Sequence, residues 1–381
     1  MHLLFVTFWN FDDAATNGIA KKILAQKAAF EQLGFAVDLT YAKAGQFCLE
    51  REGKILPLCK TERFTTRIAG ARALSAFLKG DDRVYQGCYL RYAQGDWGLL
   101  GLAKTLKNKG IPLLIEIPTY PYDAEFSSGL LRCSLFIDKA YRRRIARYVD
   151  RYVTFSEERE IFGRPTICTS NGMDVSSCPV KAPHLSGMEG PFRLVAVAAF
   201  APRHGYDRLI RGLAAYRDGG GRANFHLDLV GDGGITPEYR AMVKDLGLED
   251  SVTFHGFLGG AALDAVYDGA CLGVASLGTH RVGQSASTSL KFFEYLVRGL
   301  PTLTTGRREA YPTLAPYVHK VPGDESPLDF FAIEAFLAGL YGQGQDPAAL
   351  PAAIRAAAAP LCDMASTLAP VAAHLKKEEQ P

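Results

Sequence analysis

A chain of 381 residues that is 48% hydrophobic, 11% aromatic and 22% charged holds more apolar side chains than one core usually encloses, so two globular domains are expected and a disordered or fibrous polymer is excluded. Eight cysteines with neither a C-x-x-C pair nor zinc-type His/Cys spacing exclude a disulfide scaffold and a zinc module, and read as small buried hydrophobes of a reducing, cytoplasmic setting. The net charge of +3 is uneven, because 132–151 carries seven basic residues against two acidic ones.

In chain order, the opening run His2–Trp9 is apolar but has no basic region before it and meets Asp12 and Asp13, so it reads as a buried strand and not as a signal peptide. Asn17-Gly18 precedes an amphipathic helix carrying Lys21 and Lys22. Further strands are expected near Ala36–Tyr41, Val84–Tyr89, Pro112–Ile117 and Tyr152–Phe155, with helix-length stretches between them. A breaker-rich segment, Cys178–Pro191, is expected to join two domains. The pattern then restarts, with strands near Phe192–Ala198, His226–Val230, Ser251–Phe254, Leu272–Ala275 and Pro301–Thr304. Alternation of this kind predicts an α/β protein with parallel sheets, whose ligands bind beyond the carboxyl ends of the strands. The expected division is 1–177, a linker over 178–191, 192–351, and a helical tail over 352–381 that is a candidate to cross back to the first domain.

Three stretches carry candidate chemistry. The strand ending at Glu116 runs on through Tyr120 and Asp123, placing two carboxylates and a phenol at a strand's carboxyl end. They serve either the reaction or the start of the next helix. Leu131–Arg151 combines apolar residues with Lys139, Arg142, Arg143, Arg144 and Arg147, which fits either a helix resting on the inner face of a membrane or a core-facing helix with a solvated basic side. No nucleic-acid motif accompanies this charge. From Ser287 to Pro301, six of eight positions from Leu290 to Val297 are apolar, and Lys291 and Glu294 interrupt them on one face near the helix start. A lysine there can meet a phosphate and a carboxylate one turn on can take a ribose diol. A salt bridge among Lys291, Glu294 and Arg298 is the alternative.

The stretch resembles the donor-binding helix of family 4 glycosyltransferases, in which a loop, a helix with a ribose-binding Glu and a Gly-x-Pro lead into a strand. Val230-Gly231-Asp232-Gly233, Leu246-Gly247-Leu248-Glu249-Asp250 and Val252-Thr253-Phe254-His255-Gly256-Phe257 follow in the family's order and spacing. The resemblance implies a GT-B fold, two Rossmann-like domains facing a central cleft. It implies that Phe254, His255 and Gly256 back the nucleobase, while the helix start at Ser289, Leu290 and Lys291, with Glu294, holds the donor. Asn17-Gly18 resembles the glycine-rich loop near the donor phosphates, or is an ordinary helix start. Ser170-Asn171-Gly172-Met173-Asp174 resembles an Asn-Gly-x-Asp element of the same family.

The chain departs from that pattern where the family has an Arg and, five residues on, a Lys that contact the diphosphate. Those positions fall on Ala199 and His204, and the first of two usual glutamates falls on Ala286. The expectation is that His204 as imidazolium, His280-Arg281 and Lys291 supply the charge, unless the diphosphate site is lost. The function implied is transfer of a sugar from a nucleotide-diphosphate sugar to a saccharide or lipid-linked acceptor in surface polysaccharide assembly. Configuration is retained, the leaving diphosphate acts as base, and neither a metal nor a separate cofactor takes part. A nucleotide-sugar 2-epimerase and a catalytically silent nucleotide-binding relative stay open.

Overall fold

The computed structural model describes residues 1–12, 18–61, 66–123, 129–185, 187–283, 290–306 and 311–377. They form two compact units, Met1–Gly172 with Met364–Pro381, and Met173–Asp363.

The first unit is built on parallel strands β1 (His2–Val6), β2 (Ala36–Lys43), β5 (Gly87–Arg91), β6 (Leu113–Ile117), β7 (Arg151–Thr154) and β9 (Arg164–Cys168). Antiparallel β3 (Gln46–Arg51) and β4 (Lys54–Lys60) extend one edge, and β8 (Glu160–Ile161) the other, giving the order β4-β3-β2-β1-β5-β6-β7-β9-β8. Period-2 alternation sorts the strand side chains between two faces. Leu3, Phe5, Tyr89, Leu114 and Val153 face α1 (Gly18–Gln32) and α11 (Met364–Lys377). Leu4, Val6, Leu90, Ile115 and Ile117 face a layer of α2 (Thr66–Gly80), α3 (Trp97–Asn108) and α4 (Gly129–Ala146).

The second unit is a six-stranded, all-parallel sheet of order β12-β11-β10-β13-β14-β15. Its strands are β10 (Phe192–Val197), β11 (Phe225–Val230), β12 (Val252–Gly256), β13 (Leu272–Val274), β14 (Thr302–Thr304) and β15 (Val318–Lys320). Helices α5 (Tyr206–Asp218), α6 (Thr236–Asp245) and α9 (Phe330–Tyr341) share one apolar core with the sheet. On the other face lie α7 (Ala261–Gly269), α8 (Leu290–Val297) and α10 (Leu350–Cys362). The mixed α/β class read from the alternating pattern is the class observed.

The boundaries differ from the expected ones for identifiable reasons. In the segment expected to be a linker, Lys181 N–H donates to the Arg298 carbonyl at 2.8 Å, Ala182 N–H to the Asp268 carboxylate at 2.7 Å, and His184 lies against Tyr341, so this part packs on the second unit. The expected tail is two helices of different allegiance. Ile354, Ala358 and Cys362 of α10 are buried beside α8, whereas Leu368, Val371 and Leu375 of α11 are buried beside α1.

Candidate functional site

In the second unit, α8 buries Phe292, Phe293, Tyr295, Leu296 and Val297, which fixes its rotation and leaves Lys291 and Glu294 on the half-buried side. Among the described residues Lys291 has no carboxylate within ion-pair distance. Burial, then the nearby charge of Arg203, push its ammonium down to about 8 against the pull of Glu294. Arg203 is exposed, just before α5. Two cations, one half dry and without a counter-ion among the described residues, make a point that an anion would relieve. Glu294 is oriented instead: it accepts from the Tyr267 hydroxyl at 3.1 Å, and Arg298, itself bonded to Asp264 at 2.7 Å, lies 3.6 Å away. The expected alternative salt bridge thus exists for Glu294 and Arg298 but leaves Lys291 out. Leu290 is 41% exposed at the helix start. Ser289 and Asn17 lie outside the described residues.

The charges expected to replace the missing Arg and Lys are arranged otherwise. His204 is 3% exposed, stacks on Tyr206 at 5.7 Å, and accepts the Ala201 N–H at Nδ1 over 3.0 Å. Burial, Lys291 and Arg203 push it down to about 3, so the ring is neutral and the imidazolium expectation is corrected. Arg281 is held by Asp207 with two bonds of 2.9 Å, by Glu325 at 2.8 and 2.5 Å, and by the Pro202 carbonyl at 2.9 Å. His280 also bonds Glu325, at 2.7 Å. Two carboxylates therefore neutralise His280-Arg281, which corrects their assignment as free charge for a diphosphate. Among the described residues the free cation beside Lys291 is instead Arg203, in the short turn immediately before His204, which no family motif marks.

Along β12, His255 Nε2 bonds the buried Asp228 at 2.7 Å, a carboxylate also held by Arg193, so the imidazole is part of a strand-to-strand hydrogen-bonded cluster. Phe254 lies under the Arg240 guanidinium at 4.4 Å, and the Gly256 carbonyl accepts the Gly231 N–H at 2.6 Å. Glycine at 231 and 233 follows from backbone approach: a Cβ there would stand 1.8 Å from the Ala198 oxygen and 2.1 Å from the Phe200 oxygen.

In the first unit, Glu116 is fully buried on the α1 side of β6. It accepts from Gln26 and from the Tyr89 hydroxyl, both at 2.5 Å, and pairs with Arg91. Burial alone would raise its carboxyl, but Arg91, Lys22 and these hydrogen bonds hold it below the ordinary range. Lys22 bonds Asn171, lies over the Phe155 ring at 4.3 Å and is pushed down to about 8 by burial. Gly18 opens α1 and is exposed. Tyr120 and Asp123 do not join this cluster. Tyr120 packs on Phe162 at 6.0 Å, and Asp123 is tied to Arg142 at 2.7 Å and Lys139 at 3.0 Å of α4. Strand alternation explains the separation, since Glu116 faces α1 and the following loop crosses to the α4 side. Arg91 and Asn171 complete a site of which sequence spacing exposed only the pieces.

Within α4, Arg132, Phe136, Lys139 and Arg143 are exposed, as is Arg147 in the turn after it, while Asp138 and Ile145 are buried. Among the described residues no helix is long and apolar enough to cross a membrane, and no three His, Cys, Asp or Glu gather as metal ligands.

No protein-family model matches the chain. Over 125 residues, 31% of the chain, it is 31% identical to mannosylfructose-phosphate synthase of Agrobacterium fabrum, and this match spans 26% of that protein's length. Sucrose-phosphate synthase from Thermosynechococcus elongatus is similar in structure, with a TM-score of 0.65 at 16% identity over 99% of this chain and 100% of that one. HepE of Anabaena in complex with UDP gives 0.64 at 16% identity over 99% and 100%. A glycosyltransferase from Rickettsia africae gives 0.62 at 10% identity over 100% and 99%. At such identities the likeness speaks for architecture, and the architecture of this chain is the GT-B fold shared by these glycosyltransferases.

Proposed function

We propose that the protein is a glycosyltransferase that moves a sugar from a nucleotide-diphosphate sugar to a saccharide or lipid-linked acceptor in surface polysaccharide assembly. The observation that carries this reading is Lys291: a half-buried ammonium with no counter-ion among the described residues, beside Arg203 and one helical turn before a carboxylate held by Tyr267. Lys291 and Arg203 take the diphosphate, and Glu294 accepts hydrogen bonds from the ribose hydroxyls. Similarity to HepE, solved with UDP and with UDP-glucose, supports a donor of this class.

In the reaction the bond between the anomeric carbon and the diphosphate oxygen breaks, and its electron pair leaves with the diphosphate. The acceptor oxygen bonds to that carbon on the same face and its proton passes to the departing oxygen. Charge grows on the leaving group, where Lys291 and Arg203 stand, so they stabilise the transition state more than the ground state. Glu116 is enclosed by Gln26, Tyr89 and Arg91, which supports a mechanism without a carboxylate nucleophile. Two cations at the diphosphate also remove the need for a divalent metal, and α4 offers a peripheral contact with the inner face of the membrane.

A thermal-shift screen with UDP, GDP and dTDP identifies the base, since a ligand at a hundred times its Kd stabilises by about 2.7 kcal/mol. Lys291→Ala should lower kcat, and Glu294→Gln should weaken free nucleotide and donor alike. Intact kcat and nucleotide Kd in both variants defeat the proposed donor site, and activity that is lost with EDTA and restored by manganese defeats metal independence.

A further inference from the structure

Three neighbouring helices of the first unit share a property that α4 alone does not reveal. Neither α2 nor α3 contains an Asp or Glu. The single acid of α4, Asp138, is buried and accepts from Tyr92, Tyr122 and the Gly95 N–H. Of the carboxylates that flank these helices among the described residues, Asp123 is taken up by Lys139 and Arg142, Asp81 by Arg51 and Asp96 by Arg67, while Asp82 is exposed just past the end of α2. Against this, Arg72 and Lys79 on α2, Lys104 and Lys107 on α3, and Arg143 on α4 with Arg147 in the turn that follows it are all exposed. Among the described residues none of these six has an ion-pair partner.

The exposed positions fall at helical spacing on the sides turned away from the sheet, so they form one surface. Contacts across the helices support this. Arg72, Ser75, Lys79, Trp97, Gly98 and Gly101 line one groove of about 320 Å³ between α2 and α3, and Trp97 meets Tyr141 of α4 at 6.3 Å. Two aromatic rings project from the surface, Trp97 at 44% and Phe136 at 77% exposure. An unpaired cationic field with projecting apolar rings fits a layer whose outside is anionic and whose inside is apolar.

We propose that the outer face of the α2–α3–α4 layer docks on an anionic lipid bilayer. Phe136 and Trp97 enter the headgroup boundary, the six cations meet lipid phosphates, and the groove between α2 and α3 seats a headgroup among its small residues. The helices lie in the plane of the surface, keeping their apolar sides on the sheet and turning their charged sides with Phe136 and Trp97 to the headgroups. A nucleic acid would use the same charge but offers no apolar depth for Phe136. The proposal extends the α4 contact of the transferase reading to two further helices. Vesicle binding needs neither donor nor acceptor, so its failure and the failure of that reading are seen separately.

The test is co-sedimentation of the full chain with vesicles of phosphatidylcholine containing phosphatidylglycerol, and of phosphatidylcholine alone. Binding is expected only to the former and should weaken with salt. At about fivefold per charge, Lys104→Gln with Lys107→Gln on α3 should lower partitioning about thirtyfold, as should Arg143→Gln with Arg147→Gln at the end of α4. Phe136→Ser should weaken binding to the anionic vesicles with the charge unchanged, and circular dichroism confirms that each variant is folded. Equal binding to neutral vesicles, no binding to anionic ones, an α3 pair without effect, or selective capture of duplex DNA in their place would overturn the proposal.

Discussion

Replacing Glu116 by Gln keeps the shape of a side chain that is 0% exposed and removes its charge. The two hydrogen bonds of 2.5 Å from Gln26 and Tyr89 lose an ionised acceptor, and the cations Arg91 and Lys22 lose the carboxylate that offsets their charge in a dry setting. Breaking one side of a buried ion pair costs about 3–5 kcal/mol. For a unit of this size 1 kcal/mol moves the melting point by about 2–4 °C, so the transition should fall by roughly 10 °C. Both tryptophans, Trp9 and Trp97, belong to the first unit, so intrinsic fluorescence during urea unfolding reads its transition without the second. Because the carboxyl of Glu116 is held below its ordinary range, the stability it supplies is complete above that range and disappears as pH falls through the lowered value. Glu116→Gln should flatten this acid dependence. A loss below about 1 kcal/mol, or an unchanged acid limb, refutes the argument that Glu116 is a structural counter-ion.

Four further outcomes can be checked separately. Nucleotide-diphosphate affinity should fall as pH rises through about 8, where free Lys291 deprotonates, and Lys291→Arg should remove that fall in titration calorimetry. His204→Phe should orphan the Ala201 N–H and cost about 1–3 kcal/mol, whereas His204→Asn retains an acceptor. Since the folded ring resists protonation, wild-type stability should also drop as pH falls from about 6.5 toward about 3, and His204→Asn should lessen that drop in denaturant titrations. Gly231→Ala should cost about 3 kcal/mol or more by thermal melting, because φ is +118° and the new methyl meets the Ala198 oxygen.

What could be read from sequence was decided by local chemistry. The parallel strands were legible because they are short apolar runs between amphipathic stretches, as in Phe192–Val197 and Leu113–Ile117. The β2–β3–β4 meander was missed. Its turns place Ala44-Gly45 and Glu52-Gly53 at φ values of 49° and 71°, and 53° and 75°, a two-residue hairpin geometry usually announced by Asn-Gly or Asp-Gly. In the candidate site, Lys291 and Glu294 stood out because charge interrupts an apolar helix. The neutralisation of Arg281 was invisible, since its partners Asp207 and Glu325 lie 74 and 44 positions away and meet it only through tertiary packing. His204 was misread for a related reason, as an imidazole's charge depends on what encloses it. Burial could not be inferred from a loop containing Pro202 and Gly205.

The return of α11 to the first unit sets an order on biosynthesis. Its residues Leu368, Val371 and Leu375 cover the apolar surface formed by α1 with Leu3 and Phe5, yet they are translated after all of Met173–Asp363. The second unit, continuous in sequence, has its whole complement of strands and helices before α11 leaves the ribosome. The first unit waits throughout with one flank of its sheet uncovered. During that interval the flank is a binding surface for chaperones or for other nascent chains, and truncation after Asp363 would make this exposed state permanent.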